Sequence, residues 1–120
     1  MGGDTALGLG MYDIIKSSPS QTVIVSCGMA ASMGTILAQA ADLRLILPST
    51  VFLIHEGSIS MDDTEAKTAV SNIQSLKCYV EKFYDIYYSS CKIAPFYANM
   101  GERAVKNFIK KTLQKKHDWY

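Results

Sequence analysis

The sequence predicts an α/β fold with parallel strands, on three observations. Short β-branched and apolar runs at residues 21–27, 43–47 and 51–54 alternate with segments of helical composition. A stripe of apolar residues at spacings of three and four fills the second half of the chain. With 120 residues, 48% hydrophobic and 19% charged, the chain has enough apolar material for one globular core.

Each element follows from its residues. Residues 6–16 carry Leu7, Leu9, Met11, Ile14 and Ile15 and read as a short helix, ended by Ser17-Ser18-Pro19 and weakened by Gly8 and Gly10. Residues 21–27 predict a buried strand, which Gly28 breaks. Residues 31–41 have high helix propensity and no charge before Asp42, so a buried helix is expected there. Residues 43–47 give a second strand, closed by Pro48-Ser49, and residues 51–54 a third.

Asp62 and Glu65 form a capping-box pattern that opens a long helix. Its stripe runs through Ala66, Ala69, Ile73, Leu76, Val80, Phe83 and Tyr87, widened by Val70, Tyr84 and Ile86. A helix of roughly 30 residues is about 45 Å long, more than so small a domain covers, so part of it is expected to pack against another chain. Pro95 starts a further segment, and Val105, Phe108, Ile109, Thr112 and Leu113 mark a last amphipathic helix.

The net charge of +1 gives no field that would draw nucleic acid or an anionic membrane. Residues 102–118 hold six Lys/Arg against two acids, but these alternate with apolar residues as a solvated helix face does. The tyrosines near residue 85 continue the long stripe, so core or subunit contact is expected of them rather than base stacking. Cys27, Cys78 and Cys91 are an odd number without metal-ligand spacing and fit buried or free thiols in a reducing, cytoplasmic setting. No apolar run reaches membrane-spanning length, and the start lacks a secretion signal. The opening "MGGD" and the closing "KKHDWY" suggest a single domain over 1–120 that is incomplete at both ends.

Ser32 stands where an apolar strand hands over to an apolar helix. A turn there lifts the hydroxyl out of the sheet and points the N–H groups of the first helical turn at whatever it attacks. Ala30 and Gly34, two residues either side, leave room for a tight turn. The commoner role for such a serine is a helix N-cap. Catalysis also needs a base and an oxyanion hole. His55 directly follows a strand, at the edge where loops gather, though a surface loop histidine has the same pattern. Gly2-Gly3 would let backbone N–H groups approach a reacting carbonyl.

At these residues a family resemblance enters. "MGGD", "GMYDII", "SCGMAASMGTILAQAA" and "LILPSTVFLIHEG" resemble, in that order, segments of the proteolytic subunit of the Clp protease, the ClpP family. That family carries Pro-Gly-Gly-Ser or a variant, Tyr-Asp, Gly-x-Ala-Ala-Ser-Met-Gly and Ile-His-x-Pro. The resemblance covers residues 1–90 or so and is weak beyond them. It implies a crotonase-like fold of the ClpP type, with flanking helices and a long protruding "handle" helix. It implies Ser32 as nucleophile, His55 as general base, and the N–H groups of Gly3 and Met33 as oxyanion hole. It further implies a homo-oligomer of stacked rings, fed with peptide or unfolded protein by an ATP-dependent unfoldase of the Clp family, with no cofactor or metal.

The chain departs from the family pattern in three places. Met1 replaces the proline before the glycines, and Asp4 follows them. The loop after His55 reads "EGSIS", without the usual proline. Where the family's third catalytic residue is expected, "FIKKTLQKKHDWY" offers Thr112 or Gln114, and its one acid is Asp118. Asp118 matches a later, non-catalytic acid of the pattern, so the triad is either incomplete or completed by Asp118 through a shifted loop. These departures resemble a divergent member, of a viral or otherwise remote kind. A non-catalytic ring subunit is the main rival. A crotonase-type acyl-CoA hydratase or isomerase ranks below it, and a serine–lysine peptidase lower still.

Overall fold

The computed structural model describes residues 2–56 and 66–114. Along the chain these form α1 (Thr5–Lys16), β1 (Val23–Ser26), β2 (Met29–Ala31), α2 (Met33–Ala38), β3 (Leu43–Ile46), β4 (Val51–Leu53), α3 (Ala66–Cys91), a 3-10 turn (Pro95–Tyr97) and α4 (Glu102–Gln114). The fold is α/β, and both strand pairs are parallel.

α1 begins one residue before its expected start because Asp4 caps it. The Leu7 N–H donates to Asp4 Oδ1 at 2.8 Å, satisfying one of the free donors of the first turn. Gly8, which lowers helix propensity, has a packing reason. A Cβ built on it would stand 2.4 Å from Met33 Cε and 3.2 Å from Met33 Cγ, so its absence lets α1 lie on α2.

β1 pairs with β3 from Val23↔Leu43 to Ser26↔Ile46, and β2 with β4 from Met29↔Val51 to Ala31↔Leu53. A reciprocal clamp sets the first pair's register. Thr22 donates its N–H and hydroxyl to Asp42 Oδ2 at 2.9 and 3.0 Å, and the Asp42 N–H donates back to the hydroxyl at 3.2 Å. The hydrogen bonds from Thr22 hold the Asp42 carboxyl below the usual carboxylate range.

Two sequence expectations are corrected here. The helix expected over 31–41 is shortened at both ends to the six residues of α2: Ala31 pairs with β4 instead, and the Gln39 and Ala40 N–H groups close a tighter turn onto the Ile36 and Leu37 carbonyls. Backbone pairing along Met29–Ala31, extended by the 2.8 Å bond from Val51 N–H to the Gly28 carbonyl, overrides the helix propensity of the alanines. The strand expected to be buried over 21–27 is largely exposed: Val23 and Val25 each retain 52% of their surface. All four residues of β3 are exposed too, so no described layer covers that face of the β1–β3 pair.

The core lies between three helices. Met33 and Ile36 of α2 meet Phe83, Tyr84 and Tyr87 of α3 and Val105 and Ile109 of α4. The stripe of α3 therefore buries only its C-terminal part, while Val70 and Ile73 stay exposed. Asp62 and Glu65, the expected capping pair, lie outside the described residues.

The basic residues of α4 do more than face solvent. Lys110 pairs with Glu81 at 2.6 Å, and Lys106 bridges Asp85 at 2.9 Å and Glu102 at 3.3 Å. Both ammonium groups also sit over tyrosine rings, Lys106 over Tyr88 and Lys110 over Tyr84. They fix the lateral position of α4 on α3. Among the described residues no helix is long and apolar enough to cross a membrane. Cys27 and Cys78 are exposed thiols and Cys91 is half-buried, its thiol pushed up by burial.

Candidate active site

Ser32 is the one non-glycine residue with positive φ among the described residues, at φ 53° and ψ −124°. It occupies the N-cap position of α2, yet its side chain makes no capping hydrogen bond. A capping serine adopts extended backbone angles and binds an N–H of the first turn. Ser32 does neither, so its hydroxyl is not committed to the helix.

Such a backbone costs about 1–3 kcal/mol and persists only where neighbours over-determine it. Both peptide groups of Ser32 are anchored. Its N–H donates to the Leu53 carbonyl at 3.0 Å, and its carbonyl accepts from the Thr35 N–H at 2.9 Å. The same carbonyl accepts the Thr35 hydroxyl at 2.6 Å. Thr35 is fully buried, and its Oγ1 lies 2.6 Å from the Tyr87 hydroxyl of α3. A carbonyl can only accept, so the single hydroxyl proton of Thr35 is committed to Ser32, and Tyr87 must be the donor to Thr35. Burial pushes the Tyr87 hydroxyl up to about 12, which keeps that proton in place.

The parallel ladder brings His55 to the same edge. Ala31 pairs with Leu53, so β2 and β4 release Ser32 and His55 at the C-terminal end of the pair, His55 two residues beyond the carbonyl that anchors Ser32. The His55 Nε2 atom is shielded from solvent. Next to it, Glu56 Oε1 accepts a hydrogen bond from the Tyr84 hydroxyl. Burial first, and then Glu56, push that hydroxyl well above its ordinary range, so Tyr84 remains a donor and ties the end of β4 to α3.

The glycine pair completes the cluster. A Cβ on Gly2 would stand 2.5 Å from Ser32 Cβ, 2.9 Å from Ser32 Oγ and 3.1 Å from the Ala31 carbonyl. Gly2 is thus the glycine that permits the close approach, whereas at Gly3 a Cβ would meet nothing within 4 Å. Met33, the second expected oxyanion donor, is buried at the start of α2. Beyond the glycines, a depression of about 330 Å³ lies between Asp4 and Thr5 and the α3 residues Asn72, Ser75 and Tyr79. Asp118 lies outside the described residues. Among the described residues no three His, Cys, Asp or Glu side chains gather as metal ligands.

The sequence places Tyr87 in the apolar stripe of α3, where the structure buries it, but points neither to its hydroxyl bond nor to Thr35 or the Asp4 cap. Thr35 had a signal of its own: like Ser32, it is a lone hydroxyl in an apolar helical run. The Tyr87 hydroxyl bond had none, since its partner is 52 residues away in the chain.

Together these features define an α/β protein with a serine on a strained strand-to-helix elbow. The family model for Clp protease matches residues 1–95, and the chain belongs to that family. It is 32% identical over 89 residues to an ATP-dependent Clp protease proteolytic subunit of Deinococcus radiodurans, covering 72% of this chain and 43% of that protein. To the proteolytic subunit of Lactococcus lactis subsp. cremoris it is 34% identical over 80 residues, covering 63% and 40%. The chain thus spans less than half the length of these relatives.

Proposed function

We propose that the chain is a serine peptidase subunit of the ClpP type, with Ser32 as nucleophile and His55 as general base. The observation that carries this reading is the Ser32 backbone. It keeps a strained geometry, with a hydroxyl that makes no capping bond, at the edge where β4 ends two residues before His55.

The reaction is acyl transfer. Ser32 Oγ bonds to the carbonyl carbon of a peptide as His55 takes its proton, and the N–H groups of Gly3 and Met33 hold the developing oxyanion. The C–N bond then breaks, His55 passes its proton to the departing amine, and water repeats the sequence on the acyl-enzyme. Asp118 is the acid proposed to orient His55.

The fuller reading is a crotonase-like domain whose α3 serves as the handle of a homo-oligomeric, stacked-ring assembly. It is supported by Val70 and Ile73, exposed on α3, and by the uncovered β1–β3 face, both of which need a further layer. The substrate would be peptide or unfolded protein, delivered by an ATP-dependent Clp-family unfoldase in the cytoplasm.

The test is a fluorophosphonate probe, with the modified residue located by peptide mass spectrometry. Labelling at Ser32 that disappears in Ser32→Ala and His55→Ala supports the peptidase. An assembled oligomer that takes no label overturns it in favour of a non-catalytic ring subunit.

A further inference from the structure

We propose that Tyr87, acting through Thr35, is the positioning residue that holds the Ser32 elbow in its reactive shape. The inference rests on the reading of Ser32 as nucleophile and adds a residue that touches neither substrate nor the reacting atoms.

A serine at φ 53° relaxes to negative φ unless its flanking peptides are restrained. The N–H side is restrained by the strand partner Leu53, a bond that a paired strand end makes whatever its residue. On the carbonyl side, the helical bond from the Thr35 N–H is likewise generic. What depends on the residue type is the Thr35 hydroxyl at 2.6 Å, because it adds a second, side-chain donor to the same carbonyl.

Thr35 is a dependable donor only while its own oxygen is satisfied. It is fully buried and Tyr87 is nearly so at 7% exposure, and among the described residues the donor to the Thr35 oxygen is the Tyr87 hydroxyl. A donor feeding Thr35 polarises its O–H and strengthens the bond to Ser32, since successive hydrogen bonds in a low-dielectric interior reinforce one another. Tyr87 in turn is fixed by packing in the cluster that joins α2, α3 and α4. The elbow is therefore held from the helix core as well as from the sheet.

The experiment compares Tyr87→Phe, Thr35→Val, Thr35→Ser and the double variant Thr35→Val/Tyr87→Phe in the full chain. Three readouts are taken: the fluorophosphonate acylation rate at Ser32, the probe's saturation constant, and the thermal midpoint. Tyr87→Phe and Thr35→Val are each expected to slow acylation between about tenfold and a hundredfold with the saturation constant unchanged. Thr35→Ser, which keeps the hydroxyl, is expected to retain the rate. The double variant leaves no hydroxyl unpartnered, so its thermal midpoint recovers toward that of the parent while acylation stays slow.

Parent-like acylation in the double variant would overturn the proposal and leave the pair a purely structural contact. If the parent protein takes no label, the nucleophile reading fails by itself. The positioning claim is then judged by a crystal structure of the double variant. A Ser32 φ relaxed to negative values upholds it, and a φ kept near 53° refutes it.

Discussion

Gly2 lies against Ser32 so closely that a Cβ on it would come within 2.9 Å of the serine Oγ. No side chain fits there without moving one of the two segments. The contact brings the start of the chain to the elbow.

Gly2→Ala should accordingly injure chemistry more than folding. The added methyl must displace the glycine segment from Ser32, and a misplacement of about 1 Å costs on the order of a hundredfold in rate. We expect probe acylation at Ser32 to fall by that order with the far-ultraviolet spectrum unchanged. Acylation at the parent rate would show that the segment does not serve the site.

Asp4→Ala removes the cap of α1. Loss of the bond to the Leu7 N–H should cost about 1 kcal/mol, lowering the thermal midpoint by roughly 4 °C. Asp4→Asn, which can still cap, should lie close to the parent. Equal melting of Asp4→Ala and the parent would mean that α1 is not held from this end.

Asp118 is tested by turnover of a peptide substrate. If it orients His55, Asp118→Ala lowers kcat by about 10²–10⁴-fold while Ser32 remains open to the probe. Unchanged turnover removes Asp118 from the mechanism and leaves a serine–histidine pair.

Alkaline pH should weaken the fold in a defined window. The buried Tyr87 hydroxyl titrates at about 12 when folded, against the ordinary value of 10.0 when unfolded. Between these values the folded chain holds a proton that the unfolded chain has released, so stability falls as pH rises. The contribution is whole below pH 10 and is lost up to pH 12, a change on the order of 2–3 kcal/mol. Tyr84, shifted in the same direction, adds to it. Urea unfolding across this range should show the decline, and Tyr87→Phe should reduce it. A flat profile would contradict the buried hydroxyl pair.

The α/β class, three of the four strands and the three longer helices were legible because each rests on local chemistry. Residues 6–16 carry helical periodicity, residues 43–47 and 51–54 are short, largely apolar runs, the first closed by Pro48-Ser49, and 66–91 keep one apolar stripe. The missed strand, Met29–Ala31, is three residues of good helix formers, and only its partner Val51–Leu53 makes it extended.

Ser32 could be singled out as a small-flanked hydroxyl at a strand–helix junction, and the order of motifs pointed to the family. The sequence by itself singled out the candidate residues: Ser32, His55 and the glycine pair. Only the tertiary structure decided that Ser32 keeps a positive φ without capping its helix, that Gly2 rather than Gly3 makes the close contact, and that Tyr87 stands behind Thr35. The physical reason is range. Propensity and periodicity act over a few residues, whereas strain at one backbone position is sustained by groups the chain returns to it from far along the sequence: the Leu53 carbonyl, 21 residues on, and the Tyr87 hydroxyl, which reaches Thr35 across 52 residues.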